Sequence, residues 1–417
     1  MRFVSCFCLL IALAGLSSCH QPAAPLAQRP KDELLILASI DGFRWDYLDR
    51  YDVPTLRQLA RDGVHARRMT PCFPSKTFPN HYTLVTGLRP ETHGIVSNWF
   101  WDPAFAETFG MTKADSNTQS RWWDQGEPVW ITAEKQGVRS ACFFWPGSET
   151  DIHGVRPSFF QKFNGKLKSD ARVDGLLAWL ALPAEQRPRF CTLYFDLVDH
   201  AGHTYGPDAP ETAAAAHEAD VAIARLVAGL EKLNLRQKTN LVILADHGMS
   251  ECSPDRVVFI EDLMDPSKVR VESTGPNGGV RPLPGTVTPA ELAASIRAKA
   301  PPPLHVYLRE EMPERLHYSH NPRIPDVMLV MDDHWNLESK VGWPSRRATY
   351  VKGTHGWDPA LPNMGALFLA NGPAFRRAHE FADVENIHVY NLLCAVLGIT
   401  PARNEGDNRL AREALAN

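Results

Sequence analysis

Little in this 417-residue chain points to a scaffold held by disulfides or built on thiolate metal centres. Of its eight cysteines, only Cys72, Cys142, Cys191, Cys252 and Cys394 lie beyond residue 19. An odd number at wide spacings, with no CxxC pair, argues against a disulfide framework and a thiolate zinc site, while one bridge stays open. A long basic block is also missing. With 44 Lys+Arg against 48 Asp+Glu, the formal net charge is -4. Nothing therefore suggests an extended groove for nucleic acid, and no stable nucleic-acid partner is expected. After the N-terminus no apolar stretch reaches transmembrane length without charges. No internal repeat is visible.

What is present starts at the N-terminus. Arg2 precedes an apolar run over residues 7–16, too short to span a bilayer and closed by small residues, the architecture of a secretory signal. Its end, Leu16-Ser17-Ser18-Cys19, resembles a bacterial lipoprotein signal. That resemblance implies cleavage before Cys19, lipid attachment to it, and export to the bacterial periplasm or outer membrane. Residues 1–18 then form the signal peptide. Residues 19–31, rich in Pro, Ala and Gln, form a tether. Residues 32–417 are long enough for one large α/β domain carrying an insert at about 262–350.

Residues 34–40 are a continuous apolar run ending in Asp41-Gly42, the pattern of a buried parallel strand. Similar runs over 190–197, 241–245 and 365–370 predict further strands. Helices are expected over 55–62, 77–87, 128–137, 172–180, 212–230 and 387–397. Between 265 and 303 the chain turns Gly- and Pro-rich around one short helix at 289–300, with short strands at 306–308 and 327–331. Strands alternating with helices predict an α/β fold with a mostly parallel central sheet flanked by helices and a smaller inserted subdomain.

In such sheets a site lies beyond the carboxyl ends of the strands. Two predicted strands end at Asp41 and Asp246-His247, and a third leads into Asp199-His200-Ala201-Gly202-His203. Carboxylates and imidazoles together suit zinc. Asp199 and His203 are one helical turn apart, but so are Asp196 and His200, and spacing does not choose between the pairs. Among 16 histidines, an isolated one such as His65 or His388 is ordinarily surface or structural; several acids and histidines at consecutive strand ends carry more weight.

Taken in order, Asp41-Gly42, Pro74-Ser75-Lys76-Thr77-Phe78-Pro79-Asn80-His81-Tyr82, Thr86-Gly87-Leu88, His93-Gly94-Ile95, Asp199-His200-Ala201-Gly202-His203, Ala245-Asp246-His247-Gly248-Met249 and Gly353-Thr354-His355-Gly356 resemble the nucleotide pyrophosphatase/phosphodiesterase family of the alkaline phosphatase superfamily. The resemblance spans residues 34 to about 400. It implies an alkaline-phosphatase-like fold and two Zn2+ ions, one held by Asp199, His203 and His355, the other by Asp41, Asp246 and His247 with Thr77 oxygen close to it. It also implies that Thr77 is the nucleophile, that hydrolysis passes through a phosphothreonine diester, and that Asn98 binds a nonbridging phosphoryl oxygen. Away from that pattern Thr77 would read as a turn or helix-cap residue.

The implied substrate is a small nucleotide-like phosphodiester or pyrophosphate, cleaved to a nucleoside monophosphate. Phe78 follows the nucleophile, and Phe163 stands where family members often carry Tyr. Two such rings could sandwich a base. No recognised segment places an Arg beside Thr77, which favours diesters over the more highly charged monoesters. Hydrolysis of glycerophosphocholine-type lipids is an alternative, for which Trp99, Phe100, Trp101, Trp122 and Trp123 would supply an aromatic cage. Phosphonate or phosphomonoester hydrolysis is another.

Overall fold

The computed structural model describes residues 32–416. The signal-like segment, Cys19 and the tether lie outside the described residues. Eight strands make the central sheet: β1 (Leu34–Ile40), β2 (Val64–Ala66), β3 (Ser140–Phe143), β4 (Phe159–Gln161), β5 (Phe190–Phe195), β6 (Thr239–Leu244), β7 (Phe368–Asn371) and β8 (His379–Phe381). Their spatial order is β8-β2-β7-β6-β1-β5-β3-β4. Strand β1 lies in the middle, parallel to β5 on one side and β6 on the other. All seven of its residues are buried, so both faces of the sheet are covered, as its unbroken apolar run requires.

Helices Pro54–Asp62, Ser169–Leu180 and Pro210–Lys232 pack together as one group, and Thr77–Thr86, Val129–Lys135 and Val389–Leu397 as another. One strand departs from the parallel expectation. Strand β7 runs antiparallel to both β6 and β2. The insert leaves the sheet beyond the carboxyl end of β6 and returns from that same end, so the chain re-enters the sheet running backwards. A hydrophobic run predicts burial but carries no direction.

The insert has its own core. Strands Val269–Ser273, Asn277–Pro282, Val327–Met331 and Leu304–Leu308 form a four-stranded antiparallel sheet, in that spatial order. Helix Pro289–Arg297 packs on it, its start fixed by a capping box between Thr288 and Glu291. Val280, Leu292, Ile296, Leu329 and Trp357 fill this smaller core. Between its strands, Met312, Leu316, Tyr318 and Ile324 leave the small core and are buried in the large one. All five described cysteines are free. Burial pushes their thiols up, to about 12 for Cys72, Cys252 and Cys394. No described helix is long and apolar enough to cross a membrane.

Candidate active site

Three neighbouring parallel strands deliver acids to one end of the sheet. Asp41 follows β1, and Asp246-His247 follow β6 after one residue. Beyond β5 the chain enters helix Leu197–Tyr205, which carries Asp199 and His203 one turn apart. His355 follows the short strand Gly353–Thr354, which pairs with Ser250–Glu251 just past His247. Thr77 is the first residue of helix Thr77–Thr86. The fit is close at Gly42, in the left-handed region at φ 68°, where a Cβ would come within 2.9 Å of Asp199 Cα.

Asp199 Oδ1 lies 3.4 Å from His203 Nε2 and 3.6 Å from His355 Nε2. His247 Nε2 lies 3.4 Å from Asp41 Oδ1, 3.0 Å from Asp246 Oδ2 and 3.3 Å from Thr77 Oγ1. The two groups are continuous, since Asp41, Asp199 and His247 also place ligand atoms within 4.8 Å of one another. The His247 and His355 rings stack with centroids 3.5 Å apart.

Hydrogen bonding around the cluster fixes what its atoms can do. His203 Nδ1 donates to Gly353 O, His247 Nδ1 to Gly248 O and His355 Nδ1 to Ser75 O, each at 2.8 Å. A carbonyl accepts only, so each Nδ1 carries the proton and each Nε2 turns a lone pair into the cluster. On the acid side, Asp41 Oδ2 accepts from Tyr194 OH at 2.6 Å and Asp246 Oδ1 from Gly42 N at 3.2 Å. The remaining oxygens, Asp41 Oδ1, Asp246 Oδ2 and Asp199 Oδ1, are buried without any hydrogen-bond partner. Three imidazole lone pairs, of which only that of His247 has a donor in the Thr77 hydroxyl, thus converge with three orphaned carboxylate oxygens, an arrangement that suits cations. Burial, with Asp246 and Asp199 beside it, pushes the Asp41 carboxyl well above the usual range. Burial and the neighbouring His247 and His203 pull His355 down. Mixed carboxylate and imidazole donors fit a transition cation such as zinc and are too nitrogen-rich for magnesium.

The pair that spacing left open is decided by a neighbour. Asp196 Oδ1 is taken by Arg172 Nη2 at 2.8 Å, and His200 is exposed, so neither joins the cluster. His81, to which the sequence assigned no separate role, does approach it, with Nδ1 3.3 Å from Asp246 Oδ2. That nitrogen donates to Thr77 O at 2.9 Å, and the Nε2 lone pair therefore faces Ser39 Oγ at 2.8 Å. His81 ties down the first turn of the Thr77 helix beside Asp246 and has no lone pair to offer a metal. Tyr194 was missed as well, because nothing in an alternating strand marks which tyrosine meets an acid across the sheet.

Asn98 lies beside the start of the Thr77 helix. Its Oδ1 accepts from Phe78 N at 2.9 Å, which sets the amide orientation and leaves Nδ2 free as a donor. As a first-turn residue, Thr77 also has a backbone N–H without a helical partner. Lys76, which could have pointed outward, instead lies half-buried against Gly356, and burial pushes its ammonium down to about 8.

Thr77, Phe78, Phe163, Trp145 and Tyr194 line one cavity of about 480 Å³ beside the cluster. Phe78 packs against Phe109 and Trp123, with centroids 6.0 Å apart in each case. Phe163 rests edge-on against Phe144 and remains 54% exposed, so a ligand ring can still cover it. Among the described residues, no arginine lines this cavity. The cage proposed for a choline headgroup does not form. Phe100, Trp122 and Trp123 are buried; Phe100 and Trp122 lie about the Arg323 guanidinium, and Arg270 covers Trp101 at 3.7 Å.

Residues 35–358 match the family described as type I phosphodiesterase / nucleotide pyrophosphatase. An uncharacterized pyrophosphatase/phosphodiesterase of Schizosaccharomyces pombe is 38% identical over 379 residues, covering 89% of this chain and 78% of that protein. The bis(5'-adenosyl)-triphosphatase enpp4 of Xenopus laevis is 36% identical over 384 residues, covering 92% and 82%. Among solved structures, human ectonucleotide pyrophosphatase/phosphodiesterase 5 superposes with a TM-score of 0.86 at 32% identity, covering 92% of this chain and 99% of that one. The murine counterpart, an inactive threonine-to-alanine variant in complex with AMP, superposes with the same TM-score and identity over 92% and 100%.

Proposed function

The chain belongs to the type I phosphodiesterase / nucleotide pyrophosphatase family, and from that membership we propose that it hydrolyses nucleotide phosphodiester and pyrophosphate bonds to nucleoside monophosphates, with Thr77 as nucleophile and two zinc ions as its metals. One observation carries this reading. The Thr77 hydroxyl stands 3.3 Å from His247 Nε2, where a cluster of uncapped ligand atoms meets a ring-lined cavity.

Asp199, His203 and His355 would hold one ion, and Asp41, Asp246 and His247 the other. When bound, such ions lower the pKa of hydroxyl and water oxygens and offset charge on the phosphoryl group. Thr77 Oγ1 gives up its proton to solvent and forms the new bond to phosphorus as the leaving oxygen departs on the opposite side and takes up a proton, giving a phosphodiester on Thr77. Water then supplies the oxygen of a second in-line displacement, which breaks the Thr77 Oγ1–P bond and restores the hydroxyl. Asn98 Nδ2 and the Thr77 backbone N–H donate to the nonbridging oxygens. One such donor contributes about 3 kcal/mol in comparable sites.

A nucleoside fits the cavity better than a choline. Phe78, Phe163 and Tyr194 line it, whereas Trp122 and Trp123 are buried and Arg270 covers Trp101, so they do not form a choline cage. The enpp4 relative's name and the AMP complex of the murine structure support the same class. With equal zinc loading, a nitrophenyl-TMP diester and ATP should turn over faster than glycerophosphocholine and a nitrophenyl phosphomonoester. Faster turnover of either of the last two would overturn the assignment. In the same assay Phe163→Ala should raise KM roughly 5- to 150-fold, the equivalent of one lost stack of ~1–3 kcal/mol, with the fold intact because the ring is half in solvent. We place the enzyme outside the cytoplasm, anchored through Cys19. Cys19→Ser should move it from the membrane to the soluble fraction, and an unchanged distribution would remove the anchor.

A further inference from the structure

The loop that carries Asn98 is held from the insert. Running from Gly94 to Asn98, it offers its carbonyls to three partners. Arg323 Nη1 donates to Gly94 O at 2.9 Å, Tyr318 OH to Val96 O at 2.7 Å, and Met111 N to Asn98 O at 2.9 Å. Two of the three come from residues 318–323, between strands of the small sheet. Tyr318 also meets Phe73, four residues before Thr77, edge-on at 5.1 Å. It therefore touches both the loop bearing the donor and the segment leading to the nucleophile.

Arg323 is the more heavily bonded of the two. Only 1% exposed, it donates through Nε to Asp102 at 2.7 Å and through Nη1 and Nη2 to Trp122 O and Arg121 O. Four of its five N–H groups are thus committed to the protein, which holds the guanidinium in one place. A buried polar pair of this kind adds little net stability against apolar packing and serves to fix one geometry. Asn98 needs such fixing. One end of its amide is committed to Phe78 N, so a small turn of the loop would move Nδ2 away from the phosphoryl oxygen.

We propose that Tyr318 and Arg323 are positioning residues for the phosphoryl-transfer step, through which the insert sets the aim of Asn98. The inference rests on the role given to Asn98 above. It assigns the insert a part in catalysis although it supplies no donor to the phosphoryl group from these residues.

Tyr318→Phe removes one hydroxyl and keeps the ring, so it is the variant to measure first. It should lower kcat on the nitrophenyl-TMP diester about tenfold, leave KM within twofold, and leave zinc content unchanged. Lys340→Ala, at an exposed ion pair elsewhere in the insert, should leave kcat unchanged. The deciding comparison puts Tyr318→Phe into an Asn98→Ala background. Asn98→Ala alone should cost roughly 10²–10³ in kcat, and adding Tyr318→Phe should cost nothing more. If Tyr318→Phe is fully active alone, or loses the same tenfold again without Asn98, the positioning role is overturned while that of Asn98 stands. If Asn98→Ala is itself fully active, the role of Asn98 falls and this inference with it. Arg323→Lys should follow the same pattern, and Tyr318→Phe decides alone should that variant fold poorly.

Discussion

Thr77→Ala is expected to reduce turnover of every diester by at least about 10⁴-fold while the protein stays folded and binds its metals. Losses of this size follow when the nucleophile of a covalent mechanism is removed. The side chain stands at the edge of the cluster, and six other residues supply the lone pairs. Alanine is also well tolerated at the start of a helix whose cap makes no side-chain bond. Thr77→Ser keeps the hydroxyl and should recover a measurable part of the rate. Single-turnover quench with a radiolabelled nucleotide should trap label on the wild-type chain and none on the alanine variant. Near-normal turnover by metal-loaded Thr77→Ala protein would end the covalent reading.

The second large effect concerns charge. Without cations, Asp41, Asp199 and Asp246 place buried carboxylate oxygens together with no donor between them. Chelation should therefore abolish activity and lower Tm. Binding to the native state alone is worth about 2.7 kcal/mol when free metal exceeds its Kd a hundredfold. Asp41→Asn should reverse the sign in the metal-free protein. It removes one negative charge and keeps an acceptor for Tyr194 OH, so the apoprotein should melt a few degrees above wild-type apoprotein. With zinc present the order should invert, since the variant has lost a ligand. Calorimetry with and without chelator reads both arms. A variant that melts below wild type in both would mean that Asp41 ionisation does not strain the empty site.

The acids were legible because apolar runs before Asp41 and Asp246 predict buried strands whose ends share one side of the sheet. Direction was not legible: residues of β7 read as a strand, but their reversal depends on where the insert rejoins. The choice of Asp199 over Asp196 turns on Arg172, 24 residues upstream of Asp196 on another helix, which no local spacing could supply. His81 lies in the same motif as Thr77, yet the direction of its lone pair follows from Thr77 O and Ser39. The aromatic residues near 100 and 122 read as a possible cage, and nothing in their spacing shows that Phe100 and Trp122 lie about Arg323. In each case the missing information was a partner distant in sequence.

The buried thiols have a practical consequence. Cys142 and Cys191 sit on neighbouring strands deep in the sheet, Cys394 in the closing helix, and Cys252 in the insert's separate core. Protonated and enclosed, they offer an alkylating reagent almost nothing until the surrounding structure opens. Cys142, Cys191 and Cys394 are thus tamper seals on the large core and Cys252 on the small one, and the order in which they become labelled would tell which part of the molecule breathes first.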